Sequence, residues 1–395
     1  MAGRAVVCGG SIGGCFAAAA LLRAGWEVVV LERAGVELSG RGAGIVTHDV
    51  LEEALRAVGA GTSDLGVQVE ERVAFDRSGR RIATVHMPQI VTSWDRIHGS
   101  LRRLIPDGAY RLGASVIGAR ETAGGAEALL EGGARVECDV VIGADGFRSA
   151  VRGSLLSTVQ PRWSGYVVWR TLAREQDLEG LLSGVDFGAF GFFLPEGMQA
   201  IGYPIAGPGN DLRPGRRRYN FVWYLPVSPE ALSDMLTDAQ GRRHKIGIPP
   251  PLVRDDVVEA MRSLAEARLP PQFRTVLRVA ERPFVAPVYD HVAPTFARGH
   301  VALAGDAACV ARPHVGMGVT KAALDALALA RHLSSGAPVE TALASYSIER
   351  QPAAVAAHAE SRRLGSFITD GSGDVEGKAN PRCDEVMRRT AVVVS

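Results

Sequence analysis

Lysine is nearly missing from this 395-residue chain. It occurs only at Lys245, Lys321 and Lys378, so the 44 basic side chains are almost all arginine. A codon bias toward Arg, Ala and Gly accounts for this more simply than phosphate recognition does. Charge of one sign is missing too. Against 43 acidic groups the net charge is +1, which excludes the field expected of a nucleic-acid or membrane-surface binder. Cysteine is scarce and scattered: Cys8, Cys15, Cys138, Cys309 and Cys383 form no C-x-x-C pair and no Cys/His cluster, so no metal is expected. Such usage fits a reducing, cytoplasmic setting. No apolar run approaches the ~20 residues that span a bilayer. A strand that begins at Arg4 leaves no room for a signal peptide. Repeats and low-complexity tracts are absent. What remains, 47% apolar and 22% charged residues, is the composition of a globular enzyme with ample core and two domains.

Gly-rich turns stand out in that background. Arg4 to Cys8 is a short apolar β run, and Gly9-Gly10-Ser11-Ile12-Gly13-Gly14 leads from it into an Ala/Leu helix. Glycines let the backbone approach a pyrophosphate, whose charge suits the positive helix N-terminus. Trp26 to Leu31 reads as the next strand, and Glu32 ends it where an acid binds a ribose hydroxyl. Ser11 replaces the middle glycine of G-x-G-x-x-G, so its Cβ must be tolerated near the phosphate or its hydroxyl donates there.

A near-continuous apolar run, Val136 to Ala144, ends in Asp145-Gly146 and reads as a central strand buried on both faces. His300 to Ala304 is a third apolar strand and ends in Gly305-Asp306. Between them, residues 163–225 hold short β segments separated by Gly/Pro turns, the pattern of a mostly antiparallel sheet. The expected fold is α/β: a Rossmann-like nucleotide-binding domain (1–72, 94–160, 286–335) interleaved with a smaller antiparallel β-sheet substrate domain (73–93, 161–285). C-terminal helices and a polar, mobile tail follow (336–395). Interleaving sets a substrate cleft between the two domains.

These motifs, in this order, resemble the group A flavoprotein monooxygenases, the para-hydroxybenzoate hydroxylase superfamily. Gly9 to Gly14 with Glu32 is similar to its FAD fingerprint. Asp145-Gly146 and the following Phe147 to Arg152 are similar to its D-G motif. Gly305-Asp306-Ala307-Ala308, then Pro313, Gly316 and Gly318, is similar to its G-D motif. Thr92 to Asp95, Gly241 to His244 and Ala311 to Lys321 resemble the 2,6-dihydroxypyridine 3-monooxygenase-like branch. The resemblance implies non-covalent FAD, with NADH or NADPH as co-substrate and O₂. It implies hydroxylation of an electron-rich ring (a hydroxypyridine, phenol or related heteroaromatic) through a flavin C4a-hydroperoxide. The cofactor does the hard chemistry; the protein excludes water and orients the ring. Three departures stand out: Cys309, Thr320 and Trp94 replace the histidine, asparagine and arginine common in the superfamily. Arg33, Arg41 or Arg152 is left to supply the missing pyrophosphate contact.

The resemblance sets the expected cofactor residues: Gly9, Ser11, Ile12, Gly13, Gly14, Glu32, Arg33, Arg41, Asp145, Gly146, Asp306, Gly316, Gly318 and Val319. Asp306 would accept a ribityl hydroxyl, and the helix N-terminus after Gly318 would stabilise negative charge on reduced flavin. Pro313 would turn its carbonyl to the substrate ring. His314 is the first choice for a base or hydrogen-bond partner of that ring, because imidazole titrates in the useful range. His48 follows a segment that reaches the flavin in this family and is a second choice. Arg170 is the expected partner of an anionic substrate, and Tyr203, Trp223 and Tyr224 are the expected aromatic lining. Alternation sets Phe221 and Trp223 on one strand face and Tyr224 on the other. Asp290-His291 resembles a charge-relay pair but reads as a surface turn.

A small aromatic substrate is the expected partner, with no nucleic acid and no membrane; a homodimer stays open. An FAD-dependent reductase, dehydrogenase or Baeyer–Villiger-type oxygenase is the alternative on the same scaffold. A redox-silent FAD-binding regulatory or carrier protein is the alternative of another class. A halogenase is disfavoured because W-x-W-x-I-P is absent.

Overall fold

The computed structural model describes residues 3–38, 44–156, 159–369 and 383–393. Its first layer is a six-stranded sheet in the order 297–298, 301–303, 140–143, 4–8, 27–31, 110–111. The strands from 301–303 to 110–111 run parallel, and only the edge strand 297–298 is antiparallel. Helices Ile12–Arg23 and Gly318–Leu333 pack together beside it. The buried alanines of both helices allow close approach within one apolar core.

The second layer is a nine-stranded sheet in the order 309–310, 284–292, 162–174, 218–226, 199–205, 190–193, 67–75, 81–93, 44–46. All its pairs are antiparallel except 190–193 with 67–75. It has apolar clusters on both faces. One holds Trp169, Phe221 and Trp223 with helices Asp255–Arg268 and Pro271–Val279. The other holds Tyr166, Tyr203 and Tyr224 and faces the first layer and the C-terminal segment. A small three-stranded sheet covers 116–138. Among the described residues no helix is long and apolar enough to cross a membrane, and no group of His, Cys, Asp or Glu forms a metal cluster.

Four local expectations differ from the structure. The apolar run 136–144 is two strands, Arg135–Cys138 and Val140–Gly143, in different sheets. Asp139 breaks it, with its carboxylate accepting the Arg4 amide at 2.6 Å. The expected boundary at 286 falls inside strand Phe284–Val292, which pairs with 162–174 in the larger sheet. Asp290 and His291 lie in that strand, buried, rather than in a surface turn. Residues 383–393, expected as mobile tail, begin with helix Cys383–Arg389 and pack on the larger sheet through Val386, Met387 and Ala391.

Candidate active site

The turn after the first strand is glycine because its neighbours leave no room. At Gly14 an added Cβ would lie 1.8 Å from the Gly9 carbonyl oxygen, and at Gly9 (φ +105°) 2.4 Å from that of Ala144. The helix that follows starts at Ile12 without a side-chain cap from Ser11 and without an acid in its first turn. Its first N–H groups therefore have neither an intrahelical nor a capping partner, and the helix dipole adds positive potential. Ser11, Ile12 and Gly13 face a cavity of about 650 Å³ between the two large sheets. Glu32 is buried outside the cavity walls and braces the turn, accepting the Gly10 amide at 2.8 Å and the Ala34 amide at 2.9 Å. The Gly10 carbonyl takes the Tyr110 hydroxyl at 2.8 Å and contacts His98 Nε2 at 3.0 Å. Trp94, at the position where the resembled superfamily commonly has an arginine, stacks on His98 at 4.4 Å and lines the cavity.

The second and third motifs meet at the same cavity. Asp145 caps helix Ala150–Leu155 with one oxygen (2.7 Å to the Ala150 amide), while its other oxygen is buried without a partner. Gly146 and Asp306 line the cavity, and Asp306 is exposed there. The turn that carries Asp306 is set by buried charges. Asp325 accepts the Gly305 amide at 3.1 Å, Lys321 donates to the Gly305 carbonyl at 2.8 Å, and Arg350 closes on Asp325 at 2.9 Å. Arg152 joins the two motifs, donating to the carbonyls of Phe147 (2.6 Å) and Ala307 (2.9 Å). A second helix, Gly318–Leu333, also begins at the cavity with neither a side-chain cap nor a first-turn acid, and Gly316 before it and its first residues, Gly318 and Val319, stand in the wall.

This donor set fits FAD. Two uncapped helix starts open on one cavity and suit a pyrophosphate and an electron-rich ring edge. The orphaned Asp145 oxygen and the exposed Asp306 suit hydroxyls. An added Cβ at Gly146 or Gly318 would meet nothing within 4 Å, so the space beside both is open. Neither Arg33 nor Arg152 is among the described cavity walls. Arg152 is committed to the carbonyls above and to His291 Nε2 at 3.1 Å. Arg33 is exposed, and Arg41 lies outside the described residues. Arg170 and Arg312 are the arginines in the described walls.

The face of the larger sheet closes the far end. Arg170, Tyr203, Val222 and Tyr224 line it, with Pro313 in the opposing loop. Trp223 does not. Strand alternation turns it to the other face, where it is fully buried with its indole N–H on the Met198 sulfur at 3.3 Å. His314 is also absent from the walls. It is 1% exposed, bonded to the Tyr166 hydroxyl at 2.8 Å and packed against Tyr224 and Gly365. Burial and Arg312 pull its imidazole down to about 3, so it is neutral and packed behind the wall rather than in it. His48 contacts the Thr320 hydroxyl through Nδ1 at 2.9 Å and lines a separate cavity of about 410 Å³. No histidine lines the described walls of the larger cavity.

Arg312 has no counterpart in the sequence expectations. Its guanidinium lies 5.6 Å from the Tyr166 ring centre and binds Asp290 at 2.6 Å. Burial pushes the Asp290 carboxyl up, but His358 and Arg312 outweigh it and hold it at about 2. The sequence signal for such braces is faint: Lys321 and Asp325, an i,i+4 ion pair inside an alanine-rich helix, mark charges headed for the interior.

Comparison with known proteins agrees with this geometry. A family model described as FAD binding domain-like matches residues 163–290. The chain is 32% identical over 346 residues to 2,6-dihydroxypyridine 3-monooxygenase of Paenarthrobacter nicotinovorans, covering 87% of this chain and 86% of that protein. It is 29% identical to aurachin C monooxygenase/isomerase of Stigmatella aurantiaca, covering 92% and 88%. The solved structure of 2,6-dihydroxypyridine-3-hydroxylase from Arthrobacter nicotinovorans superposes with a TM-score of 0.86 at 29% identity, covering 96% and 97%. The chain belongs to the family of FAD-dependent aromatic-ring monooxygenases that includes 2,6-dihydroxypyridine 3-monooxygenase.

Proposed function

We propose that this monooxygenase takes a hydroxylated six-membered ring, of the hydroxypyridine class, and binds it as an anion against Arg170. One observation carries the reading: Arg170 stands in the cavity wall, and among the described residues no carboxylate pairs with it. Tyr203 and Tyr224 stand within its field, and burial raises both phenols, so they stay protonated and donate. A cation with neutral donors favours a ring oxyanion over the neutral ring. With no histidine in the described walls, binding rather than an imidazole base sets the ring's charge. A deprotonated ring is the better nucleophile for oxygen transfer.

FAD, when bound, supplies the electron relay from NAD(P)H and the activation of O₂. The chain's part is to hold and shield. The amides of Ile12, Gly13 and Gly14 are assigned the pyrophosphate, Asp306 a ribityl hydroxyl, and the helix start at Gly318 and Val319 the electron-rich ring edge. The Pro313 carbonyl is assigned the substrate ring. Val168, Ile201, Val222 and Val288 keep that end apolar and exclude water. A cytoplasmic setting is part of the proposal, supported by the free cysteines.

Hydroxypyridines, phenols and indoles should be screened for stimulated NADH and NADPH oxidation, with product and peroxide measured together. Arg170→Met should weaken ring binding roughly tenfold to hundredfold, the loss of one charged hydrogen bond of about 1.5–3 kcal/mol. Arg170→Lys should recover part of it. Equal ring affinity in parent and Arg170→Met would reject the anion reading. Product without label from ¹⁸O₂ would favour the reductase or dehydrogenase alternative.

A further inference from the structure

The last described residues of the chain reach the reaction cavity. Thr390 and Ala391 stand in its wall, and Ala391 also lines the smaller cavity beside His48. Three features hold them there.

The first is Arg72, which has no exposed surface. Its guanidinium donates to the carbonyls of Met387 and Thr390 (2.6 Å to the latter) and to Gln89 Oε1 at 2.6 Å, and lies 5.2 Å from the Phe190 ring centre. Burial pulls it down to about 10, so it remains a cation. A buried cation with no carboxylate partner is unfavourable unless dipoles surround it. Here the carbonyls ending helix Cys383–Arg389 supply them. The second is Gln89, whose amide donates to the Ala391 carbonyl at 3.0 Å and to the Thr47 carbonyl at 3.1 Å. The third is the contact with the third-motif loop. The Ala391 amide donates to the His314 carbonyl at 3.2 Å. A Cβ added at Gly316 (φ +62°) would lie 2.6 Å from the Ala391 Cβ, and Ala391 itself holds φ +54°. A non-glycine residue in that region is unfavourable and persists only where its surroundings enforce it.

We infer that Met387 to Val392 is a strap that closes the reaction cavity and backs the Pro313–Gly318 loop. Arg72 and Gln89 are its positioning residues. The inference rests on the reading of this cavity as the ring site. A closed wall keeps water from the reacting atoms and keeps oxygen transfer directed at the ring. With the strap loosened, the electron pair from NAD(P)H goes to O₂ alone: NAD(P)H, H⁺ and O₂ give NAD(P)⁺ and H₂O₂, and the ring leaves unchanged.

The test uses the full-length, FAD-loaded protein and its Gln89→Ala variant. Hydrogen exchange is followed at Thr390 to Val392, iodide quenching is measured on the bound FAD, and peroxide is counted against hydroxylated ring. Gln89→Ala should exchange at least about tenfold faster at Ala391. Its FAD should become more accessible to iodide, and its peroxide share should rise severalfold. A chain ended at residue 382 is the stronger lesion and should show larger rises in iodide access to FAD and in peroxide share. Faster exchange with parental quenching and parental coupling would overturn the strap and leave only a packing role. Parental coupling in both variants would overturn it as well. Parent protein that takes up no FAD would instead overturn the underlying cavity reading, before either variant is compared.

Discussion

Asp325 has no exposed surface, yet it meets the Gly305 amide and two cations, Lys321 and Arg350. Its removal leaves buried positive charge without compensation, a loss on the order of 3–5 kcal/mol. Asp325→Ala should therefore lower the urea midpoint strongly and release FAD, whereas Asp306→Ala should lower FAD affinity roughly tenfold or more with little change in stability. A variant pair that loses flavin and stability in the same proportion would contradict this division. The buried histidines give a second residue-scale expectation. Burial and Arg152 hold His291 at about 4, and burial and Arg312 hold His314 at about 3, both below the ordinary 6.5. Between pH 6.5 and about 4 the unfolded chain binds protons that the folded chain refuses. Their contribution is complete above pH 6.5 and is lost as pH falls through that window. The loss at pH 5 is on the order of 2 kcal/mol per histidine. Urea unfolding at about pH 7.5 and about pH 5 reads it, and His314→Gln should flatten part of the slope.

At the scale of single elements, Gly14 decides how closely the first helix sits on the first strand. Gly14→Ala places a methyl group 1.8 Å from the Gly9 carbonyl oxygen, so backbone must move. The expected result is loss of FAD retention with secondary structure kept, read by flavin content and circular dichroism. Elements of this kind were legible in the sequence because periodicity and glycine placement are local. The strands at Arg4 to Cys8, Trp26 to Leu31 and His300 to Ala304 and the Ala/Leu helix after the first Gly-rich turn stand close to where their patterns put them. What was not legible depends on partners distant in the chain. Alternation separated Trp223 from Tyr224 but could not say which face carries the cavity. Proximity to Pro313 pointed to His314, but the Tyr166 and Gly365 contacts turn it away. The docking of residues 383–393 depends on Arg72 and Gln89, some 300 residues earlier, and leaves no local trace.

At the scale of the whole molecule, the three motifs converge on one cavity, and no single piece of chain supplies it. Purified protein should contain or take up about one FAD per chain, released intact by acid, because the groups proposed to hold it are amides and carboxylates and form no covalent bond. Flavin that stays with the denatured chain would refute this. The parallel sheet adds a consequence for synthesis. Its central strand, Val140–Gly143, lies between Arg4–Cys8 and Val301–Leu303, and the Gly305 turn after the last of these is braced from Lys321 and Asp325. A ribosome must release most of the chain before that strand gains its second neighbour. Until then the nascent protein carries an unpaired apolar strand edge, the kind of surface that chaperones cover. Flavin capture is thus a late event in the life of each molecule. Ribosome-stalled chains ending near residue 290 should acquire none, while chains extended beyond Arg350 should bind it.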